Sequence, residues 1–251
     1  MKTIDLNCDL GESYGKSCSS YDAEIMPWIT SCNIACGFHS GDPSTLWNTI
    51  QLALTHNVAI GAHPGYPDLQ GFGRRVMDLS AQELFTSVLY QVSALKGMVE
   101  AAGGKLHHVK PHGALYNRAA EDEKTSRAIL EAVHSIHPGL PVYLMPHSVT
   151  EHVATSMGVP FLDEGFADRR YTSNYRLQSR KEEGAVLHSE EDVKAQLSLF
   201  LKGQVYTAEG ESLPIAIQTL CLHSDTPSAV KLAETIHHFF RNHHVEIKSA
   251  R

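Results

Sequence analysis

The chain alternates short apolar segments with longer segments of helical periodicity, and this alternation restricts the fold more than any other feature. Each apolar segment has the length of a strand, and several are rich in Val and Ile. A strand followed by a helix recurs about seven times, which is typical of parallel β/α architecture with right-handed crossovers. The predicted strands cover residues 3–8, 32–36, 58–62, 106–110, 141–145, 159–163 and 215–222.

Local sequence signals mark the helix boundaries between these strands. Asp42-Pro43 is typical of an N-cap followed by a proline in the first turn. Ser80-Ala81-Gln82-Glu83 and Ser148-Val149-Thr150-Glu151 both match the capping-box pattern. A further helix is predicted near residues 189–201, and Thr226-Pro227 is predicted to open the last one.

The distribution of polar residues favours a closed barrel over an open sheet. The glycine-rich first turn that often marks an open dinucleotide-binding sheet is missing from the sequence. Polar residues lie at or just beyond the C-terminal ends of six of the seven predicted strands, and a barrel brings those ends to one mouth. The strand-end residues are Asn7, Asp9, Asn33, His39, His63, Lys110, His112, Asp163, Glu164, His223 and Asp225.

We therefore predict an α/β fold, a seven-stranded TIM-like (β/α) barrel. No linker, internal repeat or low-complexity segment divides the sequence, so residues 1–251 are expected to form a single domain.

Composition excludes several classes of partner. The 21 basic and 28 acidic side chains give a formal charge of −7, which argues against nucleic acid and against an anionic membrane surface. The start, Met1-Lys2-Thr3-Ile4-Asp5, lacks the apolar stretch of a signal peptide, and no segment approaches the ~20 apolar residues of a membrane span. Five cysteines without a Cys-x-x-Cys pair are typical of reduced thiols. A cytoplasmic protein is expected.

Each strand-end residue also has a purely structural explanation. Asp9 could cap a turn, His63 before Pro64 could be a loop histidine, and Lys110 could be a solvated surface lysine. As a converging set, these residues favour a functional site instead. Other histidines lie on or beside predicted outer helices and are expected at the surface, namely His134, His137, His237, His238, His243 and His244.

Two familiar motifs of nucleotide-binding and hydrolytic enzymes are not matched. Residues 11–17, Gly-Glu-Ser-Tyr-Gly-Lys-Ser, resemble a phosphate-binding loop, but only three residues separate the two glycines where a P-loop needs four. The sequence also contains no Gly-x-Ser-x-Gly nucleophile elbow.

The sequence is compatible with metal binding by one group of residues. His108 and His112 have the spacing of a helical zinc motif, but the strand context separates their faces, which argues against structural zinc. A mononuclear divalent site built from Asp9, His39 and His63 is possible, because Asp and His ligands from separate strand ends suit catalytic metals.

At these same positions the chain resembles the LamB/YcsF family, from Asp5 to the final helix. The blocks that carry the resemblance are residues 5–12 (Asp-Leu-Asn-Cys-Asp-Leu-Gly-Glu), 33–42 (Asn-Ile-Ala-Cys-Gly-Phe-His-Ser-Gly-Asp), 61–65 (Gly-Ala-His-Pro-Gly), 71–75 (Gly-Phe-Gly-Arg-Arg), 109–117 (Val-Lys-Pro-His-Gly-Ala-Leu-Tyr-Asn) and 166–169 (Phe-Ala-Asp-Arg). Two departures lie in predicted mouth loops. Ser224 stands where the family usually has glycine, and residues 173–180 replace a segment that ends in Leu-Val-Pro-Arg.

The resemblance implies a fold and a function. It implies a β/α barrel related to the glycoside hydrolase/deacetylase barrel. It further implies a hydrolase acting on a cyclic amide, which cleaves 5-oxo-L-proline to L-glutamate with ATP (with Mg²⁺) as co-substrate, together with companion subunits B and C. Phosphorylation of the lactam oxygen would make chemical sense of the coupling to ATP, since a lactam carbonyl is a weak electrophile.

On that basis we assign roles as hypotheses. Lys110 and Arg74, and less strongly Arg169, would bind phosphate or carboxylate, within a substrate-binding set that includes Asp168. General acid/base catalysis is expected from His39, His63 or His112. Water activation or a divalent ion is expected at Asp9 and Glu12, hydrogen bonds to the substrate amide at Asn7 and Asn33, and an orienting pair at His223 and Asp225.

Two other functions compete with this interpretation. The first is a stand-alone metal-dependent deacetylase or amidase, which would need a bound metal and no ATP. The second is a non-catalytic binding subunit that recruits a partner, for which the charges at the mouth would be dispensable.

Overall fold

A computed structural model describes residues 1–13, 21–224 and 228–249. Within these ranges the chain forms ten strands. They are β1 (Thr3–Leu10), β2 (Ser31–Ala35), β3 (Ala59–His63), β4 (Leu106–Val109), β5 (Val142–Leu144), β6 (Phe161–Phe166), β7 (Gln204–Tyr206), β8 (Ser212–Pro214), β9 (Thr219–His223) and β10 (Glu246–Ile247).

Seven parallel strands of the described chain close into a barrel. Their order is β1, β2, β3, β4, β5, β6 and β9, and β9 pairs with β1, so the sheet has no break between its first and last strands. The register at the closure joins Asp5 to Thr219 and Asp9 to His223. The predicted seven-stranded TIM-like barrel is confirmed.

Helices surround the barrel. They are α1 (Asp22–Ile25), followed by a 3₁₀ turn (Met26–Trp28), α2 (Pro43–Thr55), α3 (Ala81–Ala101), α4 (Gly113–Ala119), α5 (Glu123–Ile136), α6 (Val149–Met157), α7 (Glu190–Leu201) and α8 (Ala229–Asn242). Among the described residues, none of the helices is long and apolar enough to cross a membrane.

The predicted helix starts are confirmed where side chains cap the backbone. The Asp42 carboxylate accepts hydrogen bonds from the amides of Ser44 and Thr45, and Ser80 forms a complete capping box with Glu83. At Ser148 the prediction is half wrong. Its hydroxyl caps α6, but the Glu151 carboxylate accepts from the His147 amide, one residue before the cap. The predicted start at Thr226-Pro227 lies outside the described residues.

The bounds of two strands differ from the predicted ones. The sixth extends to Phe166, three residues beyond the predicted end, because Glu164 and Gly165 continue the pairing with β9. The last begins at Thr219 and not at residue 215, since the preceding residues leave the sheet and the Ile215 amide donates to the Gly203 carbonyl. The short hairpin of β7 and β8 was not predicted.

Strand β1 shows how the barrel separates its two faces. Ile4, Leu6, Cys8 and Leu10 belong to the apolar core between the strands and the helices. The alternating residues Asp5, Asn7 and Asp9 are equally buried, but they bond to polar side chains of other barrel strands. The barrel interior is therefore a polar column, and the apolar core lies outside it.

Candidate active site at the mouth of the barrel

The lower end of the polar column is built around Asp5. Four hydroxyl groups donate to its carboxylate, those of Thr30 at 2.7 Å, Ser31 at 2.6 Å, Tyr143 at 2.9 Å and Thr219 at 2.6 Å. Four donors satisfy the acceptor capacity of a buried carboxylate. This end of the barrel is consequently closed by a complete hydrogen-bond network.

Lys110, at the end of β4, occupies the centre of the column. Its Nζ lies 2.9 Å from Asp9 Oδ1, 3.0 Å from Glu164 Oε1 and 2.9 Å from Cys221 Sγ. Burial alone would lower the pKa of Lys110, but Asp9, Cys221 and Glu164 together outweigh it, and the pKa is raised well above its usual range. Lys110 is thus a buried ammonium ion. The alternative of a solvated surface lysine is wrong.

Two asparagines orient the carboxylates around Lys110. The Asn33 amide donates to Asp9 Oδ1 at 2.7 Å and to Asn7 Oδ1 at 2.8 Å, and Asn7 donates to Glu164 Oε1 at 3.0 Å. Asn33 Oδ1 lies 2.6 Å from His108 Nε2. These amides are already engaged within the protein, so their expected contact with substrate stays a prediction.

Glu164 and His108 complete the interior, although neither was among the predicted site residues. Burial raises the pKa of Glu164, and Lys110 only partly offsets this. His108 stacks on Tyr143 with ring centroids 3.9 Å apart, and its ring crosses the face of Gly61. A Cβ atom at Gly61 would lie 2.1 Å from His108 Nε2, so only glycine leaves room for that ring.

Above Lys110 lies a group that we call the mouth cluster, consisting of Asp9, Glu12, His39, His63 and His112. The five side chains come from β1 and the residues just after it, from the loop after β2, from the end of β3 and from the residue before α4. All five were predicted as catalytic residues, and the structure brings them together. Their catalytic roles stay a prediction.

Glu12 is the shared neighbour of the three histidines. Its Oε1 lies 3.1 Å from His39 Nε2, 3.2 Å from His112 Nδ1 and 3.8 Å from His63 Nε2. Burial would raise the pKa of Glu12, but contacts with His112 and His39 hold it well below its usual range. Glu12 is therefore an anion near neutral pH.

The histidines of the mouth cluster differ in their proton affinity. Burial would lower the pKa of His63, but the adjacent Asp9 carboxylate, 3.3 Å away, raises it. Burial lowers the pKa of His112, and it lowers that of His39 to about 3, because Glu12 compensates only in part. Two neighbouring imidazoles with opposite pKa shifts can accept and release protons in turn.

Backbone groups and close packing fix these rings. His63 Nδ1 lies 2.7 Å from the Lys110 carbonyl oxygen, and His112 Nε2 lies 2.8 Å from the Phe72 carbonyl oxygen. His39 stacks on His112 with centroids 3.7 Å apart and an interplanar angle of 5°. Gly73, with a φ of 62°, packs against both stacked residues, and a Cβ atom there would lie 2.8 Å from each of them.

A second polar pair lies beside the mouth cluster. His223 Nδ1 is 2.9 Å from Asp168 Oδ2, and the Asp168 pKa is lowered because His223 outweighs the effect of burial. Asp225, the predicted partner of His223, lies outside the described residues. Ser224, which stands in place of the family's glycine, donates from its hydroxyl to the Asp9 carbonyl at 2.7 Å. This departure therefore adds a contact to the backbone of Asp9.

The two predicted arginines lie in different surroundings. Arg169 is buried and donates to the backbone carbonyls of Gln178 at 2.5 Å and Ala185 at 3.4 Å, and burial lowers its pKa to about 10. It holds the segment around residues 170–187. Arg74 is exposed at the rim, with its guanidinium 4.9 Å from the Phe72 ring centroid.

The chain is similar to known proteins along nearly its whole length. A family model described as the LamB/YcsF family matches residues 4–251. A protein from Bacillus cereus (strain Q1), named as the A subunit of 5-oxoprolinase, is 47% identical over 249 residues, which are 98% of this chain and 98% of that protein.

Solved structures give the same picture of the fold. The crystal structure of a lactam utilization protein from Thermus thermophilus matches with a TM-score of 0.93 and 41% identity, covering 99% of this chain and 100% of that one. A family 4 carbohydrate esterase from Streptomyces lividans matches with a TM-score of 0.52 at 9% identity, covering 100% of this chain and 93% of the esterase. The second likeness concerns the fold alone.

Proposed function

The chain belongs to the LamB/YcsF family, and from that membership we propose that it is the A subunit of a 5-oxoprolinase. It acts in 5-oxoproline metabolism as a hydrolase of a cyclic amide. We further propose that it cleaves 5-oxo-L-proline to L-glutamate with hydrolysis of ATP, in a complex with subunits B and C.

The proposal rests on sequence similarity, over nearly the whole chain, to a protein named as the A subunit of 5-oxoprolinase. The match spans 98% of both chains, so no domain of either is left without a counterpart. The Thermus thermophilus relative is named for lactam utilization, and 5-oxoproline is a lactam. The polar mouth of the barrel is where an enzyme of this architecture binds its substrate.

Coupling to ATP overcomes the low reactivity of the lactam. The lactam oxygen attacks the γ-phosphorus of ATP, and ADP leaves. Water then adds to the activated ring carbon, and the ring nitrogen takes a proton and leaves, which opens the ring. A second water hydrolyses the resulting acyl phosphate to phosphate and L-glutamate, so the sequence consumes one ATP and two waters.

Side chains at the mouth can activate water, transfer protons and bind anionic groups. The anions Asp9 and Glu12 can orient and deprotonate water, and His63, whose pKa is raised, can hold a proton for transfer to the leaving ring nitrogen. Arg74 at the rim is placed for an anionic phosphate or for the substrate carboxylate. Lys110, whose ammonium group is enclosed by protein partners, stabilises the negative charge of Asp9 from below.

A second candidate function is favoured by one observation. Glu12, His63 and His112 place a carboxylate oxygen and two ring nitrogens within 3.8 Å of one another, a set of atoms that suits a divalent metal. A metal-dependent deacetylase or amidase of this kind would hydrolyse its amide without ATP.

Release of phosphate that depends on 5-oxoproline tests the proposal. The full chain is assayed with ATP and Mg²⁺, alone and together with subunits B and C, while L-glutamate is followed by NMR. We expect turnover only with the companions. Asp9→Asn should lower turnover by about 10²- to 10⁴-fold, the usual effect of removing an acid/base group. Asp78→Asn, a change at an exposed aspartate away from the barrel interior, is the matched control and should keep full turnover.

Two results would overturn the proposal. Full activity of Asp9→Asn would remove the mouth from the mechanism. Amide hydrolysis by the chain alone without ATP, lost after chelation and regained with a transition metal, would favour the metal-dependent amidase.

A further inference from the structure

Backbone carbonyls fix the protonation pattern of two histidines in the mouth cluster. A carbonyl oxygen only accepts hydrogen bonds, so His63 must carry hydrogen on Nδ1, which faces the Lys110 carbonyl at 2.7 Å. By the same reasoning His112 must carry hydrogen on Nε2, which faces the Phe72 carbonyl at 2.8 Å. In neutral imidazoles, His63 Nε2 and His112 Nδ1 then each present a lone pair.

These lone pairs converge with carboxylate oxygens. His63 Nε2 and His112 Nδ1 lie 3.0 Å apart, and Glu12 Oε1 is 3.2 Å from His112 Nδ1 and 3.8 Å from His63 Nε2. Asp9 Oδ2 is 3.3 Å from His63 Nε2. With both imidazoles neutral, all four atoms are acceptors, and acceptors at such distances repel one another unless a proton or a metal cation lies between them.

The spacing of these atoms suits a metal ion better than a proton. A proton on one nitrogen points at one or two acceptors, whereas a metal ion binds all of its ligands at once. Ligands about 2.1 Å from a tetrahedral ion lie about 3.4 Å from one another. The three separations among Glu12 Oε1, His63 Nε2 and His112 Nδ1, which run from 3.0 to 3.8 Å, fall around this value.

We propose that Glu12, His63 and His112 bind one divalent transition-metal ion at the barrel mouth, with the Asp9 carboxylate 3.3 Å from the ligand nitrogen of His63. Two imidazole nitrogens with carboxylate oxygens are a donor set that Zn²⁺ accepts in catalytic sites. Such an ion polarises a carbonyl oxygen or lowers the pKa of a bound water.

The proposed ligands differ from the sequence-based set of Asp9, His39 and His63. His39 stacks parallel to His112 at 3.7 Å, so an ion in the plane of the His112 ring cannot also lie in the plane of the His39 ring. His39 Nε2 instead lies 3.1 Å from Glu12 Oε1, where it orients the ligand carboxylate.

This inference rests on the geometry of the mouth cluster and holds whether or not the proposed 5-oxoprolinase activity does. Its test therefore measures metal binding. The full chain is purified without an affinity tag, and its metal content is determined by elemental analysis. After removal of metal by a chelator, it is titrated with Co²⁺, followed by the visible absorption of the ion, and with competing Zn²⁺.

We expect about one equivalent of metal per chain, with saturable binding. Glu12→Gln, His63→Asn and His112→Asn should each weaken Co²⁺ binding by at least about 100-fold, whereas His39→Asn should weaken it by about 10- to 100-fold, as for an orienting partner. His238→Asn is the matched control. His238 is exposed on α8 beside Glu234, and its loss should leave binding unchanged. Circular dichroism confirms that each variant is folded, and Glu12→Gln, which keeps the size of the side chain, serves if a histidine variant is not.

Absence of saturable binding by the untagged chain would overturn the inference. Equal binding by wild type and by folded Glu12→Gln and His112→Asn would do so as well, because the chain has 16 histidines and adventitious surface binding would not distinguish these variants.

Discussion

Lys110 is the residue on which the interior of the barrel depends. Its side chain is 3% exposed, and its ammonium group contacts two carboxylates, Asp9 and Glu164, and the Cys221 thiol. An isolated charge of this kind is costly to bury, whereas a paired one is tolerated. The two carboxylates in turn need the ammonium group, since without it they would face each other inside the protein.

Replacement of Lys110 by methionine tests this mutual dependence. We expect Lys110→Met to lower the free energy of unfolding by about 3–5 kcal/mol, because it leaves buried carboxylates without their counter-charge. Glu164→Gln removes one of these charges, so it should cost less in the Lys110→Met background than in the wild type. Urea unfolding of the two single variants and the double variant measures the coupling.

Additive effects of the two substitutions would contradict this prediction. They would mean that Lys110 and Glu164 do not share an electrostatic interaction, whatever the distance between their atoms.

Individual residues also show where a sequence pattern is sufficient to predict the site. Asp9, His63 and His112 were predicted as site residues because they follow apolar strands, and they lie together. Glu164 was recognised as a strand-end residue but was not assigned to the site. Asp163 and Glu164 are adjacent carboxylates on β6, so their residue types alone do not show that Glu164 is the one that faces the barrel interior.

At the scale of elements, β6 places two adjacent carboxyl groups on opposite faces. Glu164 points into the barrel towards Lys110, whereas Asp163 points outward, with its Oδ1 buried. Burial, together with the charge of Glu151, raises the pKa of Asp163 to about 6. In the unfolded chain the same group titrates near pH ~4.

The difference in pKa predicts a pH dependence of stability. Between about pH 4 and pH 6 the unfolded chain loses the Asp163 proton while the folded protein keeps it, so this group lowers stability as the pH rises through that window. Above pH 6 both states are ionised and the loss is constant. Asp163→Asn should therefore gain stability relative to wild type from pH 4 to 6 and keep that gain above it, as measured by urea unfolding at each pH. A difference that does not change with pH would contradict the assignment.

Elements were predictable where local chemistry defines them. Asp42 and Ser80 bind the first amides of their helices through side chains, so the signals at their positions are sufficient. The hairpin of β7 and β8 has only three residues per strand, partly exposed, which is too short for a periodic pattern. Likewise, the start of β9 depends on pairing with β1, a contact with residues more than 200 positions away.

At the scale of the whole molecule, closure of the barrel joins the two ends of the chain. Strand β1 pairs with β9 and with β10, so the first residues are held by the last described ones. Trp28, in the 3₁₀ turn after α1, contacts His237 and His238 of α8 with ring centroids 5.6 and 5.7 Å apart. If the barrel unfolds as one cooperative unit, this contact between the chain ends is lost together with the sheet and the helices.

The fluorescence of Trp28 can report the loss of this contact, provided that the other tryptophan is removed. The chain has two tryptophans, and Trp47, on α2, is 39% exposed, so Trp47→Phe leaves Trp28 as the single tryptophan fluorophore at little cost to packing. For a single domain, the fluorescence transition of this variant and its far-ultraviolet circular dichroism should have the same urea midpoint and slope. A fluorescence transition at lower urea would show that the chain ends separate before the rest of the barrel unfolds. The predicted single domain would then be wrong, because a seam between β1 and β9 that opens independently divides the barrel into two cooperative units.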